Sequence, residues 1–452
     1  MYGQIMVASF TELARADGGG LVAATPGPDL AAAGYDETEF AVRGEARSFE
    51  VAPPESGDPV TVTGVADFCT RALVRQPAES ARCSGNVVVE WLNVSSGSDA
   101  GAGYTYLAEE LVRNGDIWVG ISAQYIGVAG GQGTVGAAGS TPAPGLIGQQ
   151  RYQELSHPGD MFCYDIFTQV AGALGGSQGP LEHVDITCLL AIGESQSALA
   201  LTTYVNCVSQ LDNIFDGFLI HSRAAAGLPL HTPERAIDLL PVFRQPATPI
   251  RDDLTVPVFV VQTETDILGD FRYHDARQKD GPLFRLWEIA GNAHADRYLV
   301  GPFEEFLGCS GPVNRGQQRF VLRAALRALT RWVRTGEGPA PAERLLTTNP
   351  TEGEIRFETD DVGNVCGGVR TPCVDVPVAV LSGLGRQDES RICRLFGRTD
   401  RIEPAVLAQR YRDVDDYLRR YTAATDAAIA AGVVLESDRD ELLADAEPDA
   451  LT

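Results

Sequence analysis

The pentapeptide Gly193-Glu194-Ser195-Gln196-Ser197 stands between a largely apolar run, Val184 to Ile192, and a segment of helical character, Ser197 to Val208. A strand-turn-helix elbow at this place would hold Ser195 in a strained backbone and lift its hydroxyl above the carboxyl end of a sheet. The same turn aims the amide of Gln196 at an oxyanion forming beside that hydroxyl. Its neighbours must be small, because strand and helix pass close together. Ser197 stands where glycine is usual, a departure that still keeps the residue small. A hydroxyl is a poor nucleophile until a base takes its proton and a carboxylate orients that base. The chemistry implied is nucleophilic acyl transfer, and it needs a histidine and an acid elsewhere.

For this class of elbow the chain order is serine, acid, histidine. Of six histidines, only His274 and His294 lie beyond the next strand able to carry the acid. His294 follows a predicted strand, Leu283 to Ile289, in the small-residue loop Ala290-Gly-Asn-Ala-His294, where a base should hang. The preceding strand, Val258 to Gln262, leads into Thr263-Glu264-Thr265-Asp266 and offers two acids. Asp266 takes the aspartate's place in the pattern strand, Gly, two residues, Asp, and is favoured. Glu264, the alternative, points the other way if the chain stays extended. The second oxyanion donor falls in the loop Asn93 to Gly97, with the Val94 amide placed best. Asn93, Glu194, His221, Arg223 and Tyr125 could line a substrate. For Glu194 the ordinary alternative is a carboxylate that is solvated or that supports the site from behind, and for His221 and Arg223 a satisfied structural role.

The elements that must position these groups are legible as an alternation of strands and helices, the pattern of a mainly parallel sheet covered on both faces. Further strands are predicted at Asn86–Leu92, Ile117–Ser122 and Phe215–His221, and helices at Tyr104–Asn114 and Gln317–Thr335. Asp160 is the expected N-cap of a helix reaching Leu174, and Gly127 to Gly148 reads as a loop too polar and flexible for the core. Residues 223–253 read as a cap insertion over one end of the sheet. The 317–335 helix presents Leu322, Ala325, Leu326, Leu329 and Val333 on one face. Arg323, Arg327, Arg331 and Arg334 are expected to be solvated on the others. The expected organisation is an α/β catalytic domain over 61–336, a strand-rich lead-in over 1–60 and a partly helical C-terminal extension over 337–452. In the extension, Leu407, Tyr411, Tyr417, Leu418 and Tyr421 are available for packing, and the segment at Arg370-Thr-Pro is a candidate pocket wall.

Over roughly 61–336 the chain resembles the α/β-hydrolase superfamily. Within it, the chain is similar to a group of long bacterial proteins usually called alpha/beta hydrolase domain proteins. The stretches that carry the likeness are Val87 to Asn93, Gly193 to Ser197 with Tyr204-Val-Asn206, Asp216 to Arg223, Gln262 to Asp266 and Trp287 to His294. It extends to Gly367–Pro372 and Asp375–Ala379. The resemblance implies Ser195, His294 and Asp266 as a triad, carboxylic-ester hydrolysis as the default chemistry, and no cofactor. The same triad would serve a thioesterase, a lactonase or an acyltransferase. A non-catalytic binding protein on this scaffold is the alternative of another class, and the ordered serine, acid and histidine speak against it.

Composition bounds the partners. With 36 Lys+Arg against 61 Asp+Glu the formal charge is −25, which repels phosphate backbones and anionic lipid and argues against nucleic acid or membrane as a partner; the triad reading makes a small-molecule ester the expected one. The acidity lies in the flanks: −7 in residues 1–60 and −10 in 337–452, against −8 in the long middle. Glu436 to Asp449 alone holds seven acids and one arginine, and reads as a solubilising tail. No apolar run reaches the roughly 18 residues of a membrane span, and the N-terminus lacks the pattern of a signal peptide, so a cytoplasmic location is expected. The nine cysteines then read as reduced, with Cys366–Cys373 and Cys69–Cys83 the pairs that could bridge. Asp270, His274 and Asp275 have metal-like types, but spacing alone does not make a site, and no metal is expected. Nothing in the sequence indicates an oligomeric state.

Overall fold

Val-Val-Val in one strand and Leu-Leu-Ala-Ile in another are the near-continuous apolar runs of strands buried on both faces, and they form the middle of the sheet in a computed structural model of the chain. The structure describes residues 8–14, 21, 25, 27–52, 59–134, 141–348 and 354–451. The chain divides into two compact units, 1–258 and 259–452.

The first unit contains β1 (Ser9–Glu12), β2 (Tyr35–Val51), β3 (Val60–Pro77), β4 (Asn86–Trp91), α1 (Ala102–Asn114), β5 (Ile117–Ile121), α2 (Cys163–Gly172), β6 (Cys188–Glu194), α3 (Gln196–Thr203) and β7 (Gly217–His221). Its strands run in the order β1-β2-β3-β5-β4-β6-β7. The pairs β5–β4, β4–β6 and β6–β7 are parallel, and the long β2–β3 hairpin joins the edge of β5 antiparallel. Every residue of β4, β5 and β7 is buried. Glu90 of β4 is buried too, because its carboxylate accepts the first amides of α1, Gly103 and Tyr104, at 2.8 Å each, and the Trp118 indole at 2.9 Å. A strand residue thereby caps the helix that follows it.

One expectation fails in this unit for a physical reason. Asp160 caps no helix: α2 begins at Cys163, and the buried Asp160 carboxylate instead accepts the amides of Tyr125 at 2.7 Å and Ile237 at 2.8 Å. The glycine-rich 127–148 stretch lies outside the core as read, its described residues partly buried or exposed, except at its start, where Gly127 is buried and Val128 packs fully buried against Tyr152, Ala41 and Cys69. Gly130–Gly131 pairs antiparallel with Ala143–Pro144; 135–140 lie outside the described residues.

The second unit contains β8 (Val258–Thr263), α4 (Glu264–Leu268), β9 (Phe284–Ile289), α5 (Gln318–Thr335), β10 (Ala379–Ser382), α6 (Arg391–Phe396), β11 (Arg398–Arg401), α7 (Pro404–Arg410), α8 (Val414–Ala430) and α9 (Arg439–Ala444). β8 and β9 are neighbours, and β10 pairs antiparallel with β11. Phe320 of α5 packs against Ala428, Val434 and Leu442. Ile402, Leu407, Tyr411, Tyr417 and Tyr421 form a further cluster, with Leu418 left exposed.

Arg323 corrects the reading of α5 as a helix with a solvated basic face. It is fully buried and paired with Asp438 at 3.1 Å and Glu441 at 2.5 Å, while Arg319 binds Asp445 at 2.8 Å. The acidic tail is therefore also a set of counter-charges for α5. The cysteine reading needs a correction as well: Cys309 and Cys393 form a disulfide with Cα atoms 5.5 Å apart, whereas Cys69, Cys83, Cys366 and Cys373 are free. Among the described residues, no helix is long and apolar enough to cross a membrane.

Candidate active site

The elbow is built from local geometry. Ser195 adopts φ 59° and ψ −117°, a region that costs an ordinary residue about 1–3 kcal/mol. Its amide donates to the His221 carbonyl at 3.0 Å, tying the turn to β7. Gly193 is required by contact: a Cβ there would lie 2.9 Å from the backbone of Ser197. Ser197, the departure from the usual glycine, is stitched into the turn. Its hydroxyl donates to the Glu194 carbonyl at 2.8 Å and accepts the Glu194 amide at 3.1 Å.

The loop after β4 is held against this elbow by amide side chains. Asn93 donates to the Glu194 carbonyl at 2.9 Å and contacts its carboxylate at 3.4 Å, so Glu194 is buried and hydrogen-bonded, the supporting alternative and not the solvated one. The Val94 amide donates to Oε1 of Gln196 at 3.2 Å. The polarity of this contact follows from a chain of donors. The Trp91 indole can only donate, so Gln124 must turn its oxygen to it; Gln124 Oε1 then also accepts Nε2 of Gln196, leaving the Gln196 oxygen for Val94. Gln124 Nε2 continues to Asp160 at 3.3 Å, where burial raises the carboxyl to about 6 against the amides of Tyr125 and Ile237. Behind the loop, fully buried Arg71 bonds Asp99 at 2.8 Å and Glu39 at 3.2 Å.

The other candidate lining residues have structural partners. Arg223 is fully buried, and its guanidinium donates to the carbonyls of Ala224, Ala225 and Thr248. The His221 ring meets Tyr106 edge-on at 5.7 Å. Tyr125 is partly exposed, its ring 6.2 Å from that of His157 and 5.7 Å from the Arg235 guanidinium.

In the second unit, His294 Nδ1 and Asp266 Oδ1 are 2.7 Å apart. The other oxygen of Asp266 accepts the Thr263 amide at 2.7 Å and hydroxyl at 2.8 Å, so both oxygens are committed. A neutral imidazole donating from Nδ1 carries its lone pair on Nε2, the tautomer a general base needs. The Phe271 ring lies 4.4 Å from the imidazole at 36°. Glu264 turns away from His294 and accepts the amides of Gly291 and Gly383. Asp270 and Asp275 are paired with Arg394 and Arg272.

Sequence reading did not find the residues that hold the histidine loop. Asn292 accepts the Gln318 amide at 2.9 Å, Gln318 donates to the Ala293 carbonyl at 3.1 Å, and Asn314 donates to the Gly291 carbonyl at 3.1 Å. The one available signal was the pair of amides, Asn314 and Gln318, lying polar at the start of an apolar helical stripe. Arg370, in the proposed pocket wall, instead binds Asp375 at 2.6 Å and the Val365 carbonyl at 2.7 Å.

A sequence model described as alpha/beta hydrolase domain matches residues 10–444. No curated protein matches the chain. Similar solved structures include a fungal esterase from Rhizomucor miehei, 12% identical, covering 65% of this chain and 85% of its own, with a TM-score of 0.34. A thermostable esterase from Pseudomonas putida ECU1011 is 12% identical over 55% of this chain and 70% of its own, TM-score 0.30. A carboxylesterase from Lactobacillus plantarum WCFS1 is 13% identical over 51% and 78%, TM-score 0.28.

Proposed function

Because the chain belongs to the alpha/beta hydrolase domain family, we propose that it is a serine hydrolase cleaving a carboxylic ester of a small molecule through Ser195, His294 and Asp266. The observation that carries this reading is the backbone of Ser195. A non-glycine residue at φ 59° and ψ −117° stores strain that packing alone gives no reason to keep, and a partly exposed nucleophile on an elbow does. The His294–Asp266 pair supplies the remaining chemistry within one loop and one short helix.

In this mechanism Ser195 Oγ attacks the ester carbonyl while His294 Nε2 accepts its proton. Asp266 holds the imidazole in the Nδ1–H tautomer and stabilises the imidazolium. The tetrahedral oxyanion takes the amides of Gln196 and Val94, the latter by displacing the Gln196 side-chain oxygen that occupies it. The imidazolium returns its proton to the leaving alcohol, and water repeats the sequence to release the acid. Removing one such oxyanion donor typically costs about 10²–10³ in kcat.

A fluorophosphonate probe tests the reading. Labelling of the full chain that disappears in Ser195→Ala supports it, and Asp266→Asn should lower ester turnover by roughly 10⁴ through the wrong tautomer. Absence of labelling in folded protein would overturn it. A series of chromogenic esters of increasing acyl length, run beside thioesters and lactones, then sets the substrate class.

A further inference from the structure

Glu264 has no role in the acyl transfer just described, yet it is fully buried two residues before Asp266. Its Oε1 accepts the Gly291 amide at 2.6 Å and its Oε2 the Gly383 amide at 2.7 Å. Gly291 lies at the start of the loop that ends in His294, and Gly383 directly follows β10 in the C-terminal extension. A second bridge runs beside the first. The Thr265 hydroxyl donates to the Gly383 carbonyl and accepts the backbone amide of His294 at 3.0 Å. Both backbone polar groups of Gly383 are thus consumed by consecutive residues of α4, and each connection continues into the histidine loop. The fit admits only glycine: a Cβ at 383 would lie 2.4 Å from the Asn292 carbonyl oxygen and 2.5 Å from Glu264 Cβ.

We propose that Glu264 is a positioning residue for His294, its carboxylate binding the histidine loop to residues 379–385 so that the extension forms part of the frame of the catalytic base. The proposal rests on the reading of His294 as that base. Two N–H groups converging on one buried side chain require an acceptor with two oxygens and no hydrogen between them and the donors. Glutamine at 264 has the same shape but sets its NH₂ against one of the two amides, which leaves a donor facing a donor and loosens one end of the bridge. A displacement of the base by about 1 Å is enough to lower turnover by as much as 10²-fold.

The test uses full-length Glu264→Gln and Gly383→Ala, assayed on a p-nitrophenyl ester, with the downfield proton resonance of the His294–Asp266 hydrogen bond recorded without substrate. The expected result is a kcat lowered about 10- to 100-fold with KM nearly unchanged, a shifted or broadened resonance, and a double variant no worse than the more damaged single. Should Glu264→Gln fail to fold, Gly383→Ala decides by the same readouts, and Thr265→Val reports on the parallel bridge with Thr265→Ser as its rescue. Unchanged kcat with an unshifted resonance in the folded variants overturns the proposal. Retained activity in Ser195→Ala would instead overturn the functional reading, while the resonance, read without turnover, still decides what Glu264 does. A Glu264→Gln variant more damaged than Asp266→Asn would reverse the assignment of the acid.

Discussion

The nucleophile elbow and the histidine loop solve the same problem by opposite means. The elbow owes its form to residues adjacent in sequence: β6 delivers it, α3 carries it away, Gly193 lets the backbones approach, and Ser197 stitches strand to helix. The histidine loop has no such internal rule. Its carbonyls are satisfied by Gln318 and Asn314 and its amides by Glu264 and Thr265, and these last two also hold Gly383, which lies 119 residues from Glu264. Of the proposed triad, Ser195 is placed by local backbone geometry and His294 by tertiary contacts, so damage at a distance should fall unequally on the two.

The sharpest break of that contrast is removal of residues 337–452. Without them Phe320 loses Ala428, Val434 and Leu442, Glu264 loses Gly383, and buried Arg323 loses both counter-charges. Stranding one buried charge costs about 3–5 kcal/mol by itself, a large part of the stability of a typical domain. The truncated chain is expected to yield no soluble, active product, as measured by gel filtration and ester turnover. A soluble, active truncation would mean that the histidine loop holds itself, and the contrast would collapse.

A smaller and complementary effect is expected at the elbow. Asp99→Ala removes a partner of Arg71 beneath the loop that carries Val94, while Glu39 remains. Because one counter-charge persists, the loss should approach the lower end of the ~3–5 kcal/mol seen on breaking buried pairs, read from urea denaturation. The downfield resonance of His294 should not move. A shifted resonance would show that the two loops are not independently framed.

The same contrast explains what could be read in advance. β4, β5, β6 and β7 were legible because strands buried on both faces need unbroken apolar runs, and the elbow because it concentrates its requirements in five consecutive residues. Glu264 was visible only as a competing acid. Its function depends on Gly291 and Gly383, and nothing in local sequence announces a pairing between residues 264 and 383. Arg323 and Asp438 failed for a related reason. Each looked like surface charge, because periodicity reports which residues are polar and not whether a distant partner buries them. Asp160 satisfied the local rule for a helix cap, but the amides of Tyr125 and Ile237 claimed its carboxylate.

The finest distinction between the two regions is in pH. Burial raises Glu90 to about 7 against the opposing pull of the Gly103 and Tyr104 amides and the Trp118 indole, and Asp160 to about 6. Burial likewise raises Glu264 to about 7 against the Gly383 and Gly291 amides and the more distant Arg398 and Arg370. Unfolded, these groups take up protons only near the ordinary carboxylate range of about 4–4.5. Between there and about 7 these three carboxyls therefore bind more protons in the folded chain than in the unfolded one, while His157, lowered by burial to about 4 against its bond to the Ala123 carbonyl, binds fewer. The carboxyls' contribution to stability rises as pH falls through that window and is lost as pH climbs through their folded values, and with three such groups against one buried histidine it sets the direction above pH 5.5. Further acidification acts the other way: although burial opposes it, Arg323 and Arg319 hold Glu441 below its usual value, and that pairing is lost on protonation. The melting temperature should accordingly be higher at pH 5.5 than at pH 8 by a few degrees. A flat or inverted profile would show that the raised proton affinities of the three carboxyls do not outweigh the depressed one of His157. Glu90→Gln and Glu264→Gln should each flatten the profile. A variant at position 90 should leave kcat nearly as it was, because α1 and its cap lie outside the reacting groups. At position 264 the flattening should be accompanied by a fall in kcat, since there the buried carboxylate and the frame of the base are the same object.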